Sequence, residues 1–578
     1  MQEQERAQQK IVVAFDFGTT YSGYAFSHSN NPFKVGTFLW KSGQESLVTQ
    51  KTPTSILLNP EGSFHSFGFE AEDKFANLSK AEEHGDWRLF RQFKMMLLSE
   101  GQLKRSTTIA DVSKKKEHEM PAIEIFAMSI QYLKDHFLEQ IKSQGLDETS
   151  FIVQYVLTVP AIWGDKAKAF MREAAMKAGI DSDSLTLALE PEVASIWCKS
   201  RESGSQYAHS QEAKISLSGE GTRYMVVDLG GGTADICIHE INKDGLKQIG
   251  KASGGPWGGT NVDRRLLKFF KRLVGTQALE ALKDEGMNDY FDLLRCFEAS
   301  KREFDGEANK KMSFKVPGLL QELCERFNGK TLSDRVQELF NADKVEFKRD
   351  KMRIHSSEVA KWFDAPISSL VKHIRGIFED RQIGIIHTIV LVGGFSESPF
   401  VQNKIKRAFS NRRVIVPYEA SLAVLKGAVI FGHNPDAVTS RVLKYTYGIS
   451  VDLPFDEEKH SEESKFFKRT FNAWRAKDCF KPFVRVNDEV KYADRILHKF
   501  AQRDCLSSCV RIYRSTEHSP VYVTDPGCEY IGKVEIEHSI EYVTIEVTLM
   551  FGTTELMVKA RLKESGRERI AVLQCLEQ

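Results

Sequence analysis

The sequence predicts an α/β chain built as two similar halves followed by a smaller, mainly β segment. Three observations carry this. An apolar run that ends in an acid and a glycine turn occurs twice, at residues 11–18 and 224–232. Between and after these runs, β-rich segments alternate with helix-periodic ones. Beyond residue 435 the mixture gives way to strict two-residue alternation.

Taken in order, residues 11–17 are rich in β-formers and stop at Gly18, which reads as a buried strand entering a turn. Residues 22–26 alternate and predict a second strand pairing back on the first. Residues 131–142 predict a helix, 151–159 a strand that ends at Pro160, and 167–178 a helix stopped by Gly179. Residues 199–222 are polar and rich in Ser and Gly, the composition of a surface loop. The opening pattern then recurs: strand 224–229, glycine turn 230–232, returning strand 236–239. The repetition divides the chain into a first half of about 10–200 and a second of about 222–433. Residues 262–351 read as mostly helical, and 388–392 as a strand running into Gly393-Gly394. In the last segment, 440–578, Val543, Ile545, Val547 and Leu549 alternate with Thr544, Glu546 and Thr548. Leu556, Val558, Ala560 and Leu562 repeat this after a turn at Gly552, which predicts an antiparallel β module with one buried face.

Composition narrows the class of function. Lysine plus arginine (80) nearly cancels aspartate plus glutamate (79), so no global field draws the chain to nucleic acid or an anionic membrane. Nine cysteines, mostly single in apolar runs, make no disulfide scaffold, and the Cys505/Cys509 pair lacks partners for a zinc site. Residues 1–10 carry no apolar signal core, and no run approaches the roughly 20 apolar residues that span a bilayer. The expectation is a cytoplasmic protein, with the nucleus as a second compartment.

The first loop, Asp16-Phe17-Gly18-Thr19-Thr20-Tyr21, places an acid, a glycine and two hydroxyls directly after a buried strand. An acid at a strand end holds hydrated Mg²⁺ through water; the glycine permits a tight turn; hydroxyls and amides of Thr19 and Thr20 suit phosphate oxygens. By itself the loop is equally a plain β-hairpin turn. Asp228-Leu229-Gly230-Gly231-Gly232-Thr233-Ala234-Asp235 repeats the order, and three consecutive glycines carry an entropy cost that an ordinary turn has no need of. Two such hairpins face to face would clamp a triphosphate, with Asp16 and Asp228 near the metal. Residues 390–396 bring a strand into Gly393-Gly394, suited to close backbone contact with a nucleoside. Competing phosphate motifs fail: Gly329-Lys330-Thr331 has Cys324 where a P-loop needs its first glycine, and residues 254–259 have Pro256 where a dinucleotide fingerprint needs glycine.

Together these loops resemble the sugar-kinase, actin and 70-kDa heat-shock ATPase superfamily. Residues 16–22 (DFGTTYS), 158–161 (TVPA), 189–191 (LEP), 228–235 and 389–394 (IVLVGG) follow the heat-shock 70 kDa family pattern in order, over roughly residues 10–433. Residues 444–448 (KYTYG), 522–527 (YVTDPG) and 549–555 (LMFGTTE) resemble the atypical heat shock 70 kDa protein 12 branch of that family. The resemblance implies a two-lobed actin-like (ribonuclease H-like) domain that binds ATP/ADP with Mg²⁺, followed by a β-rich, substrate-binding-like domain over 440–578. It implies phosphate contacts from Thr19, Thr20 and Tyr21, with Gly18 and Gly230, Gly231 and Gly232 shaping the loops. It implies water ordered around Mg²⁺ by Asp16 and Asp228, a further carboxylate at Glu190, Thr233 near the γ-phosphate, and Asp235 positioning the attacking water. On the adenosine side it implies Glu298, Lys301 and Arg302, which share a helix at i, i+3, i+4 spacing, together with Gly393 and Gly394.

The sequence also departs from the family pattern. Lys94 fits best as the phosphate-facing lysine of the first lobe, in divergent surroundings. Glu397 stands where a cation would stack on the base, Phe395 puts a bulky ring beside the nucleoside, and Thr260 and Asn261 replace acids after Gly258-Gly259. The acidic leucine-rich linker is replaced by a basic, aromatic stretch at 439–447, and the expectation is a β module without a helical lid and without an acidic tail for tetratricopeptide cochaperones. Two readings follow: a chaperone-like ATP binder with weak hydrolysis that takes an unidentified protein or peptide client on its β domain, or an adaptor whose nucleotide sets conformation with negligible turnover. A small-molecule kinase of the same superfamily is disfavoured by the motif wording.

Overall fold

The computed structural model describes residues 9–42, 48–98, 103–145, 151–200, 219–492, 494–503, 507–538, 542–551 and 554–572. Most of the predicted loop 199–222, together with Cys505 and the Gly552 turn, lies outside the described residues.

Two sheets of matching construction form the lobes. In the first, the strands run in the order Leu185–Leu189, Phe151–Val159, Gln9–Phe17, Tyr21–His28, Gly36–Thr37, with Thr52–Pro53 paired onto Tyr21–His28. In the second the order is Arg413–Ile415, Thr388–Val392, Arg223–Leu229, Ala234–Asn242, Gly245–Gln248. In both, an antiparallel hairpin is followed by parallel strands added on one side. The expected repeat is therefore one of topology, and it brings the two acid–glycine turns to equivalent corners. Parallel strands in each sheet read as near-continuous apolar runs because both faces are covered: Ile11 to Phe15 are all fully buried.

Three corrections concern extent. The helix predicted at 131–142 is Ala122–Ser143, whose inward residues Ile125, Ile130, Leu133, Phe137 and Ile141 keep helical spacing. Residues 262–351 are not helical throughout. Thr260–Glu285, Met287–Glu303, Gly318–Asn328 and Leu332–Leu339 are helices, but Lys311–Lys315, Val345–Lys348 and Lys351–His355 form a three-stranded sheet. Those strands are five residues or fewer, so the alternation of buried Met312, Phe314, Met352 and Ile354 with polar residues is too short to stand out between long helices. The second sheet also continues past residue 433. Val438–Val442 pairs with Gly245–Gln248, and Glu489–Lys491 pairs with Val438–Val442.

A core shared by both lobes lies at their base, where helices Glu190–Ser200 and Ala423–His433 cross between the two sheets. An ion pair is enclosed there: Arg441 Nη2 donates to Glu192 Oε2 at 2.7 Å and Nε to Oε1 at 2.9 Å. Beside it His239 is fully buried, and among the described residues neither ring nitrogen has a hydrogen-bond partner. Burial, with Arg441 adding to it and Glu192 opposing it, pushes its pKa down to about 4. A depressed pKa makes the stability present above the unfolded value and lost as pH falls through the folded one. His239 should therefore remove about 3 kcal/mol of stability as pH falls from about 6.5 to about 4. Denaturant titrations of wild type and His239→Leu across that window check this; parallel curves would contradict it.

The C-terminal module comprises a five-stranded sheet, in the order Lys465–Lys468, Ala473–Val484, Thr446–Pro454, Ser507–Ser515, Cys528–Glu537, and a four-stranded sheet, Arg495–Arg503, Tyr542–Met550, Met557–Leu562, Glu568–Val572. Their inner faces share one core that includes Ile512, Val534, Val547, Leu549 and Val558, the last three as the alternation predicts. Buried charge ties this module to the first lobe: Arg172 Nε donates to Glu555 Oε1 at 2.7 Å, and Arg514 Nη1 to Asp165 Oδ2 at 3.0 Å. The cysteines among the described residues form no disulfide with one another, and no described helix is long and apolar enough to cross a membrane.

Candidate nucleotide site

Because the two hairpins occupy equivalent corners of equivalent sheets, their turns face each other across the cleft. A cavity of about 830 Å³ lies between them, lined by both turns, the helix Met287–Glu303 and Gly393-Gly394. The first turn is braced from behind: Thr54 Oγ1 donates to the Gly18 carbonyl at 2.8 Å, and Thr54 N–H to the Thr20 carbonyl at 2.9 Å. In the second turn the carbonyls of Gly230, Gly231 and Gly232 accept from the N–H groups of Gly259, Thr260 and Gly258 at 2.9–3.1 Å. Among the described residues the amides of Gly231 and Gly232 have no backbone partner, the arrangement of an anion-binding turn. The turns also touch: a Cβ on Gly231 would lie 2.4 Å from Thr20 Oγ1. Only glycine leaves room there.

At the floor of the cavity stand three buried carboxylates, Asp16, Glu190 and Asp228; the fourth expected acid, Asp235, is paired with Asp228 across the hairpin, 1% exposed and off the cavity lining. Asp16 and Asp228 occupy corresponding hairpin positions, opposite Gly23 and Asp235 respectively. Asp16 Oδ1 accepts from Thr158 Oγ1 at 3.2 Å, and Asp235 Oδ1 accepts from the Ile162 amide at 2.9 Å. Glu190 opens the helix Glu190–Ser200 and receives Lys94 Nζ at 2.8 Å. Burial first, then Asp235 and Asp16, push the Glu190 carboxyl up to about 7 against the pull of Lys94. Asp228 is held well above the carboxylate range by burial and then by Glu190, Asp235 and Asp16. Asp235 is raised by burial, opposed by the Ile162 amide and the Thr233 hydroxyl. Such a cluster is costly without a cation, and the strain is what suits it to one. Among the described residues no three His, Cys, Asp or Glu side chains converge as direct metal ligands.

Lys94 is enclosed beside the cavity floor. It lies in the 3-10 turn Phe93–Leu98, is 3% exposed, and its ammonium stands 5.1 Å from the Trp163 ring centre. Met95 beside it takes the Thr19 hydroxyl at 3.7 Å.

On the opposite wall, Glu298, Lys301 and Arg302 act as one group. Lys301 Nζ donates to Asp263 Oδ1 at 2.7 Å and also pairs with Glu298, while Arg302 Nε donates to Glu298 Oε1 at 2.9 Å. Against the burial that would raise it, Lys301 and Arg302 hold the Glu298 carboxyl down at about 2. Tyr21 lies with this group rather than with the carboxylates: its ring is 5.8 Å from the Arg302 guanidinium, and burial and Glu298 raise its phenol to about 12. Gly393 adopts φ 84°, and its N–H donates to the Ala420 carbonyl at 2.9 Å. Phe395 lines the cavity, but its ring is largely withdrawn into the second-lobe core, stacked on Phe363 at 6.1 Å. Glu397 accepts from the Ser421 amide at 3.1 Å.

Sequence reasoning missed three features of this cavity. Lys51 Nζ donates to Asp16 Oδ2 at 2.6 Å. Asp263 anchors Lys301. Glu72 accepts from Arg91 Nε at 2.9 Å and, from the other lobe, Arg295 Nη2 at 3.2 Å, closing the cleft by charge. None belongs to a glycine-marked motif, and only the hydrophobic framework brings their partners near.

A family model described as Hsp70 protein matches residues 86–460. Heat shock 70 kDa protein 12A of Mus musculus is 32% identical, over 95% of this chain and 89% of that protein. Heat shock 70 kDa protein 12B of Homo sapiens is 32% identical, over 92% of this chain and 84% of its own length. Chaperone protein DnaK of Mycoplasmopsis synoviae is 24% identical, over 57% of this chain and 48% of that protein.

Proposed function

This chain belongs to the Hsp70 family, in which it resembles the 12A and 12B members over nearly its whole length, and on that premise we propose that it is a chaperone-like protein that hydrolyses ATP weakly. Membership implies ATP binding; hydrolysis, client and residue roles are our reading. The observation that carries it is the pair of glycine turns facing each other over the buried Asp16, Glu190, Asp228 and Lys94.

In this reading the amides and hydroxyls of the two turns bind the phosphates, with Gly18, Thr19, Thr20, Gly230, Gly231 and Gly232 forming the cradle. Glu298, Lys301, Arg302, Gly393 and Gly394 hold the nucleoside. Asp16 and Asp228 hold water around Mg²⁺, which when bound neutralises charge on the phosphates. Asp235, fixed by the Ile162 amide, orients the attacking water, and Glu190 with Lys94 keeps the floor charge balanced; Thr233 lies beside the γ-phosphate position. The β module carries an unidentified protein or peptide client.

A second reading, an adaptor in which bound nucleotide sets conformation without turnover, is supported by how the module is tied down. Val438–Val442 and Glu489–Lys491 extend the second-lobe sheet, while Arg172 and Arg514 hold the module to the first lobe. Lys444, lowered to about 8 by burial and by Lys168, donates to the Ala161 carbonyl, one residue from the amide that holds Asp235. Any change in lobe angle is then felt by the module directly.

Calorimetry and single-turnover hydrolysis with Asp228→Asn separate these readings. The variant is expected to keep Mg-ATP binding within about tenfold and to hydrolyse at least about 100-fold more slowly than wild type. Wild type and variant equally inert, with binding intact, would leave only the adaptor reading. Absence of Mg-ATP binding at millimolar ligand would sink both.

A further inference from the structure

The phosphate cavity holds a second lysine that neither turn motif announces. Lys51 sits between the short strands Val48–Thr49 and Thr52–Pro53, and the pairing of Thr52 with Ser22 and Pro53 with Tyr21 fixes it to the first turn. Its ammonium donates to Asp16 Oδ2 at 2.6 Å and to the Ser421 carbonyl at 2.9 Å. Ser421 belongs to the 3-10 turn Ala420–Leu422, whose Ala420 carbonyl holds the Gly393 amide. Lys51 therefore bridges the metal-side acid of one lobe to the nucleoside-side turn of the other.

Three facts give this bridge a chemical meaning. A lysine ammonium has three donors, and the described residues engage two of them. The side chain retains 19% exposure and lines the cavity, so the third donor has room to face a ligand there. Both Asp16 oxygens are already engaged, Oδ1 by Thr158 and Oδ2 by Lys51. A strongly charge-assisted contact thus stands where a hydrated cation would otherwise satisfy Asp16. The charge balance points the same way. Lys51 pairs with Asp16 as Lys94 pairs with Glu190, so each of these two floor acids has its own cation before a polyphosphate arrives. Its field also acts on Asp228, against the neighbouring acids.

Resting on the nucleotide reading above, we propose that Lys51 is a built-in cation of the phosphate site, so that the chain binds ATP with only weak dependence on Mg²⁺. The ammonium keeps Asp16 compensated in the absence of a metal and offers its remaining N–H to a phosphate oxygen. A divalent ion, held through water by Asp228 and by the remaining lone pairs of Asp16, then adds to binding and is not a condition for it.

The test is calorimetric titration of ATP into the full chain, in excess Mg²⁺ and in EDTA, for wild type, Lys51→Met and Lys51→Arg. Wild-type affinity is expected to fall by no more than about tenfold on removing Mg²⁺, whereas Lys51→Met binds Mg-ATP but loses about 100-fold or more in EDTA. Lys51→Arg, which keeps the charge, should follow wild type. Collapse of wild-type binding in EDTA overturns the proposal even if neither variant folds, as does an equal Mg²⁺ dependence of wild type and Lys51→Met. In both cases retained Mg-ATP binding leaves the nucleotide reading standing; no binding under either condition ends both.

Discussion

Replacing Lys94 by alanine is expected to destabilise the chain by about 3–5 kcal/mol at pH 8, the usual cost of removing one partner of a buried ion pair. Lys94 is enclosed by Glu190 at 2.8 Å and the Trp163 ring, so its loss strands a carboxylate whose other near charges, Asp235 and Asp16, are negative. The penalty is pH-dependent with a definite sign. Glu190 has a folded pKa raised to about 7, so its contribution to stability is present in acid and is lost as pH rises through that value. Without Lys94 the carboxyl takes up a proton more readily still, so the variant is destabilised less at pH 6 than at pH 8. Chemical denaturation at both values measures the difference. Lys94→Met/Glu190→Gln, which removes both charges, should recover most of the loss. A single variant as stable as wild type at pH 8 would mean that the floor of the cavity is solvated.

The second large effect is expected at Gly393. The residue has φ 84°, and a Cβ there would lie 2.2 Å from Asp228 Oδ1 and 2.5 Å from the Leu229 carbonyl. Gly393→Ala therefore meets the cost of a backbone region that is essentially glycine-only, about 1–3 kcal/mol, and cannot be seated without moving Asp228 or its strand. A shift of about 1 Å in a positioned group is worth about 100-fold, and Mg-ATP affinity should fall by at least that factor in calorimetry. The neighbouring Gly394 separates strain from ligand contact: a methyl group there meets no protein atom within 4 Å, so Gly394→Ala should match wild type in denaturant stability while Gly393→Ala falls below it. Equal stability of the two variants would mean that Asp228 and its strand do not confine Gly393.

Much of this site is legible in one dimension because backbone chemistry marks it. A glycine directly after a buried apolar run, with an acid before it and hydroxyls behind, has few other reasons to occur. The twofold occurrence of that order gave the repeat, the hairpins and the facing turns, and strand ends such as Val159 and Leu229 fall where the residue pattern puts them. The helix face of Glu298, Lys301 and Arg302 was equally readable, since spacing alone sets which residues meet on a helix.

What could not be read depends on partners distant in sequence. Lys51 is one polar residue in a polar turn until Asp16, Thr52 and Ser421 surround it. Arg295 is one charge on a helix until the lobes close on Glu72. The strands Val438–Val442 and Glu489–Lys491 look like the start of a separate β module, yet they complete the second-lobe sheet through hydrogen bonds that carry no side-chain signature. The sequence by itself determined the two glycine turns, the hairpins that carry them and the family, because the turns rest on local backbone need. Only the tertiary structure decided which cations answer the buried acids and how the β module joins the lobes. Those choices follow from packing two sheets around a shared base, which brings together charges from 35 to 383 residues apart.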